Sequence, residues 1–198
     1  MSNASLYVEY IFLDTDERRQ FAQSQHEYLI EQLQFSSAES FSNSSIKSKL
    51  AFNHPVKELV WVLQLDANVA SGANRWTDFT SSGSTAGKQY IGGEPLSTAK
   101  LTLNGQDRFS QRTASYFNLV EPYKRHTSGP STGIYVYSFA LHPEQHQPSG
   151  SVNMSRIDNA TLNMTLTTGT SAIKLYVYAH GYNVFSVMAG MGGLAYSN

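Results

Sequence analysis

Short apolar segments, each the length of a β-strand, recur along the chain from His26 onward and are separated by residues that favour turns. In 46–52 the apolar residues alternate with lysine and small residues, which is typical of a strand with one buried face. Residues 56–65 are almost continuously apolar and predict a central strand, and 133–141 is a further strong segment. About eight strands without regular intervening helices predict an all-β fold, an antiparallel sandwich.

The N-terminal part of the chain gives a mixed pattern. Residues 6–13 are apolar and aromatic and predict a strand that is buried on most of both faces. Asp14 or Thr15 can cap a short helix that ends near Gln23. Residues 26–35 fit both helical and alternating spacing, and we favour a strand.

Other segments predict connections. Residues 66–95 are rich in Ser, Thr, Gly and Asn and predict a long exposed loop. His180 and Gly181 are expected to join two separate strands, 172–179 and 182–188. The glycine-rich tail, 189–198, is expected to be a flexible or tightly turned terminus.

Composition excludes several classes of protein. The chain has no cysteine, which excludes disulfide scaffolds, cysteine-based metal sites and thiol nucleophiles. Lys and Arg number 14 and Asp and Glu 15, for a net charge of -1, so direct binding of nucleic acid is not expected. The longest apolar segments are too short to cross a membrane, and no secretory signal is visible, so we expect no transmembrane segment and synthesis in the cytosol.

No pattern of catalytic or metal-binding residues is convincing. His142 and His146 are four residues apart with Glu144 between them, superficially like a zinc-protease helix. The protease motif needs its glutamate directly after the first histidine, and Pro143 and Pro148 favour a loop here. We therefore expect surface histidines, no metal, no cofactor and no catalytic residue.

Modification and sugar binding stay open as alternatives. Five sequons are candidate glycosylation sites: Asn3, Asn43, Asn153, Asn159 and Asn163. An alternative function is a carbohydrate-binding β-sandwich module, in which exposed loop aromatics would stack on sugars. The residues that would do so are Trp76, Tyr90 and Tyr123.

Several segments together resemble the major capsid protein of the nucleocytoplasmic large DNA viruses, of phycodnavirus, iridovirus or giant-virus type. The match follows the family's order over nearly the whole chain. The segments that carry it are LDTDERR (13–19), FNHPVKELVW (52–61), GIYVYSFALHPEQHQPSG (133–150), NMSRIDN (153–159) and GMGGLAYSN (190–198).

The resemblance implies the C-terminal part of a double jelly roll. Residues 1–24 would be the last strand and linker of a first jelly roll, and 25–198 a complete eight-stranded antiparallel jelly-roll sandwich with short helical insertions. Because the partner sheet of the N-terminal strand is not in the chain, residues 6–13 would be exposed, would dimerise or would pack in a non-native way. Pro148, Ser149 and Gly150 are expected to turn the chain sharply between strands.

The resemblance also implies a function. The family supplies structural subunits of icosahedral capsids, and no catalytic residues transfer from it. The expected partners are copies of the same chain in a trimeric, pseudo-hexagonal capsomer, neighbouring capsomers and minor capsid proteins. The expected location is the virion, with synthesis and assembly in the host cytoplasm.

Overall fold

The computed structural model describes residues 3–81, 92–167 and 172–196. The short helices are α1 (Thr15–Gln23), α2 (Asp66–Val69) and α3 (Glu121–Arg125), with a π-helical turn at Tyr116–Val120 and a 3-10 turn at Met154–Arg156. The described strands are β1 (His26–Phe35), β2 (Glu39–Phe41), β3 (Ser45–Leu50), β4 (Pro55–Leu65), β5 (Leu96–Leu103), β6 (Gln106–Asp107), β7 (Arg112–Thr113), β8 (Ile134–Ser138), β9 (Val152–Asn153), β10 (Ala160–Leu166), β11 (Ile173–Met188) and β12 (Met191–Leu194).

The strands form two antiparallel sheets. The main path of one sheet is β1-β11-β4-β8, with β2, β9 and β12 pairing beside it. The other follows β3-β10-β5-β6, with β7 pairing to β5. When the eight strands on these two paths are numbered in chain order, the sheets read 1-8-3-6 and 2-7-4-5. This is the strand order of a jelly roll, and it confirms the predicted all-β, eight-stranded sandwich with short helical insertions.

The hydrophobic core lies within residues 31–183, one of the two compact units of the chain. Alternation decides which side chains enter it: Ile46, Ser48 and Leu50 of β3 are buried, while Lys47 and Lys49 are exposed. Because β3 lies at the edge of its sheet, its two exposed lysines also disfavour pairing with a strand from another chain.

The central strand β4 lies between β11 and β8, as its continuous apolar sequence predicts. Trp61 of β4 is only 1% exposed. Its ring packs edge-on against Phe117, with centroids 5.2 Å apart, and against Tyr135 at 6.0 Å. Phe117 lies in the π-helical turn, so this turn supplies a core side chain.

The predicted break at His180 and Gly181 is wrong, because β11 runs through both residues as one strand. The register with β4 shifts there: His180 is opposite Glu58, while Gly181 is opposite Val56. Lys57 is thus the extra residue of a β-bulge. A Cβ atom on residue 181 would overlap the carbonyl oxygen of Pro55, so the glycine serves close packing of two strands rather than a turn.

Two tight turns use left-handed backbone. Asn104 and Gly105 have φ of 49° and 81° and connect β5 to β6, in the conformation that Asn-Gly pairs favour in hairpins. Ala189 and Gly190, with φ of 51° and 76°, join β11 to β12. The glycine-rich tail therefore contains a strand, β12. Glycine can take part in it because the ladder between β11 and β12 consists of backbone hydrogen bonds.

The segment after β4 is more ordered than an exposed loop. Asn68, Asp78 and Thr80 are buried. Asn68 Nδ2 donates to the carbonyl oxygen of Asp78, and Thr80 donates to the Asp78 carboxylate through its backbone nitrogen and its hydroxyl. The prediction of an exposed loop over 66–95 is wrong for these residues, and its part from 82 to 91 lies outside the described residues.

The other compact unit holds the segment up to residue 30 and residues from 184. Helix α1 matches its prediction: Asp14 caps it by accepting a hydrogen bond from Glu17 N at 2.9 Å. The preceding residues, 6–13, form no strand and are exposed, from 38% at Leu13 to 93% at Phe12. The prediction of a buried strand from pattern alone is wrong, whereas exposure is what the resemblance implies.

Candidate functional site

Five ionisable side chains meet near the bulge of β4 and form what we call the charge cluster: Glu31, Lys57, Glu58, His126 and His180. Lys57 Nζ lies 2.7 Å from Glu31 Oε1, although Lys57 is only 1% exposed. His180 Nε2 lies 3.0 Å from Glu31 Oε2 and its Nδ1 3.0 Å from Glu58 Oε1. His126 Nε2 lies 2.8 Å from Glu58 Oε2. Basic and acidic side chains therefore alternate from His126 to Lys57.

The fold explains why these residues meet. Glu58 and His180 are direct cross-strand partners on β4 and β11. The bulge leaves Lys57 without a partner on β11, so that its side chain reaches Glu31 of β1. Its ammonium also lies 5.4 Å from the centre of the Tyr182 ring. His126 reaches Glu58 from the residue directly after α3.

The cluster shifts the pKa values of its members. Burial opposes ionisation of Glu58, but hydrogen bonds from His126 and His180 outweigh it and lower the pKa of Glu58 to about 2. The hydrogen bond to Glu58 raises the pKa of His126 above 6.5, against the effect of burial. For Glu31, burial is likewise outweighed by Lys57 and the nearby histidines, which lower its pKa.

Sequence patterns did not reveal this cluster, because its partners are far apart along the chain. Glu58 is separated by 68 residues from His126 and by 122 from His180. His126 belongs to a short basic stretch that resembles a solvated loop, and His180 precedes a glycine that resembles a turn. The one available signal was a lysine and a glutamate, adjacent within the most apolar strand.

The predicted surface histidines lie in a turn-rich segment after β8, as expected. His142 and His146 are exposed, and His146 Nδ1 comes within 3.9 Å of Glu31. Among the residues that the structure describes, no group of three or more His, Cys, Asp or Glu side chains is arranged to hold a metal ion. None of the described helices is long and apolar enough to cross a membrane.

Pro148, Ser149 and Gly150, for which a sharp turn is predicted, lie between β8 and β9. Ser149 accepts a hydrogen bond from His142 N through its hydroxyl at 2.8 Å, and Gly150 has φ of 140°. A Cβ atom on Gly150 would lie 3.0 Å from the carbonyl oxygen of Phe139. The conformation and the space thus both favour glycine after Pro148 and Ser149.

Four of the five sequon asparagines are exposed: Asn3, Asn43, Asn153 and Asn159. Asn153 accepts a hydrogen bond from Ser155 N through its side chain. Asn163 is half-buried within β10 and donates to Thr102 Oγ1 at 3.2 Å. Glycosylation at these positions stays a prediction.

A polar cavity of about 310 Å³ lies along the sheet that contains β3, β10 and β5. One lysine, hydroxyls and amides supply its polar groups. Its lining residues are Lys47, Thr102, Gly105, Asn159, Thr161 and Asn163.

Exposed aromatic side chains are also present. Trp76 is 63% exposed and Tyr123 90% exposed, whereas Tyr90 lies outside the described residues. The larger apolar surface is the segment 6–13. Monomeric soluble proteins rarely expose large contiguous apolar patches, so a segment with this many exposed apolar side chains is typical of one that contacts another part of a protein or another chain.

Comparison with known proteins places these features in a family. The model of the large eukaryotic DNA virus major capsid protein matches residues 17–193. The major capsid proteins of Pyramimonas orientalis virus and Phaeocystis pouchetii virus are 49% and 44% identical, over 100% of this chain and 50% and 54% of their own lengths. That of Paramecium bursaria Chlorella virus 1 is 40% identical, over 98% of this chain and 54% of its own length. The chain therefore spans about half the length of the curated relatives it matches.

Comparison with solved structures leads to the same family. The crystal structure of PBCV-1 VP54, fitted into a reconstruction of the virophage Sputnik, matches with a TM-score of 0.79 and 39% identity, over 96% of this chain and 56% of that one. The Faustovirus major capsid protein, at 18% identity and a TM-score of 0.74 over 87% of this chain and 36% of its own, shares the fold. By fold, by sequence and by the extent of the match, this chain belongs to the major capsid protein family of large eukaryotic DNA viruses.

Proposed function

We propose that the chain is a structural subunit of an icosahedral viral capsid and acts by self-association into trimeric, pseudo-hexagonal capsomers. The observation that carries this proposal is membership of the capsid family over residues 17–193. The rigid jelly roll suits such a role, since an assembly subunit must hold its loops in register against its neighbours. The further partners would be neighbouring capsomers and minor capsid proteins, in a virion assembled in the host cytoplasm.

We also propose that residues 1–24 are the last strand and linker of a first jelly roll, and that 25–198 form the C-terminal one. Two observations support this. Residues 6–13 have the composition of a strand but no strand partner among the described residues, and their apolar side chains are exposed. The chain also matches only 50% to 56% of the length of its near relatives.

Both proposals predict how a full-length gene product, meaning a longer chain that includes both jelly rolls, should behave. Mass photometry and negative-stain microscopy should show trimers with a pseudo-hexagonal outline. Hydrogen exchange of residues 6–13 should be fast in the 198-residue chain and slow in a longer product, because there the segment pairs with a sheet. A strictly monomeric full-length product would contradict the capsid function. Fast exchange of 6–13 in a longer trimer would contradict only the domain boundary.

A further inference from the structure

The contacts of His180 depend on a proton. Its two ring nitrogens each lie 3.0 Å from a carboxylate oxygen, one on Glu31 and one on Glu58. A neutral imidazole carries one N–H, so it can donate to only one of these carboxylates and turns a lone pair toward the other. Both contacts are satisfied only when both nitrogens carry protons. The connection from Glu31 of β1 to Glu58 of β4 through this ring therefore exists fully only in the protonated cluster.

His126 makes a second contact of the same kind. Its Nε2 lies 2.8 Å from Glu58 Oε2, and both side chains are largely buried. Protonation of the ring makes this contact an ion pair as well as a hydrogen bond to the Glu58 carboxylate. It holds the residue after α3 against β4.

Other charged and titratable groups face the two histidines from the elements around them. Glu121 of α3 and Glu144 of the segment after β8 add negative charge near His126. Glu144 also accepts a hydrogen bond from Thr127 N at 3.0 Å, just after that histidine. Near Glu31 lie Lys57 and His146, and the Tyr182 hydroxyl faces both cluster carboxylates. The surroundings of His126 are thus mainly acidic and favour its protonated form.

We propose that the charge cluster is a proton-dependent clasp: protonation of His126 and His180 fastens β1 and the segment after α3 to β4, and loss of these protons loosens both. The clasp is a property of the folded subunit and goes beyond the proposed capsid assembly. Lys57 still contacts Glu31 after the histidines lose their protons, so β1 is loosened but stays attached to β4. The loosening is therefore local, and the sandwich stays folded.

The direction of the pH dependence follows from the two resolved pKa shifts at the Glu58–His126 contact. The pKa of His126 is raised, so its contribution is complete below about pH 6.5 and is lost as pH rises through the folded-state value. The pKa of Glu58 is lowered to about 2 from 4.5, so its contribution is complete above 4.5 and is lost as pH falls toward 2. These shifts report one shared interaction, and it is strongest between about pH 4.5 and 6.5.

Hydrogen exchange with mass spectrometry tests the clasp on the 198-residue chain. Protection factors, corrected for intrinsic exchange, should fall about tenfold in 31–35 and 126–132 between about pH 6 and pH 8.5. Protection in the core strand β10 should not change. The double variant His126→Gln/His180→Gln should show low protection in both segments at both pH values, whereas the control His142→Gln, an exposed histidine, should respond like the original chain.

Each outcome decides the proposal. Equal protection at both pH values in the original chain would overturn it, and so would a full pH response in the double variant. If the double variant does not fold, nitrogen-detected NMR of the original chain replaces it. Titration of His126 above about pH 6.5 would support the clasp. Titration of His126 at or below about pH 6.5 would overturn it.

Discussion

Replacing Trp61 by alanine should lower the free energy of unfolding by about 3–5 kcal/mol, the usual cost of removing a large aromatic side chain from a core. Trp61 lies in the central strand and is 1% exposed, and its ring contacts Phe117 and Tyr135. The cavity left behind would lie between β4, β8 and the π-helical turn. Urea unfolding followed by circular dichroism measures the loss.

The second tryptophan of the chain provides the matched control. Trp76 is 63% exposed, so Trp76→Ala should change the free energy of unfolding by no more than about 0.5 kcal/mol. The hydrogen bond that Gln64 Nε2 donates to residue 76 goes to a backbone oxygen and survives the substitution. Equal losses for the two variants would show that Trp61 does not fill the sandwich core.

Replacing Gly181 by alanine should cost about 3 kcal/mol, at the upper end of the range for overpacking. The added Cβ atom would overlap the carbonyl oxygen of Pro55 and approach the Cα atom of Val56. These are backbone atoms of the paired strand β4, so the clash cannot be relieved by a side-chain rotation. Thermal or urea unfolding measures the effect.

Gly193→Ala is the control for this substitution, because nothing lies within 4 Å of a Cβ atom built at Gly193. Its free energy of unfolding should stay within about 0.5 kcal/mol of the original chain. A loss at Gly181 no larger than that at Gly193 would mean that the bulge opens easily to accept a methyl group. The close approach of β4 and β11 would then not require glycine.

Local patterns predicted the strands whose side-chain environments alternate. Segment 46–52 shows the period of two that a half-buried strand imposes, and β3 follows it residue by residue. The buried central strand β4 was predictable in the same way from its continuous apolar sequence. In both strands, the burial of most residues follows from the polarity of their own side chains. These strands can therefore be predicted from the sequence alone.

Features that depend on a distant partner could not be predicted. Gly181 indicates a turn until the strand opposite it is known, since only contact with Pro55 makes it part of a bulge. Residues 6–13 have the composition of a buried strand, but a strand also needs a partner. The polar residues Asn68, Asp78 and Thr80 suggest an exposed loop, whereas they are buried and form hydrogen bonds with one another.

The charge cluster is the clearest such case. Its members come from three strands and a helix end, and no spacing rule connects Glu31, Glu58 and His180 along the chain. The resemblance to capsid proteins, in contrast, could be stated from sequence, because it rests on whole segments in a fixed order. Family membership and local chemistry were therefore predictable to very different degrees.

The central claim is that this chain is part of a capsid subunit. Quantitative mass spectrometry of virions purified from infected cells that carry this gene tests it most directly. If the chain belongs to a major capsid subunit, peptides from residues 25–198 should be among the most abundant in the particle. They should also stay with the shell when the genome is released. Absence of these peptides from purified virions, or trace amounts beside another dominant shell protein, would contradict the account.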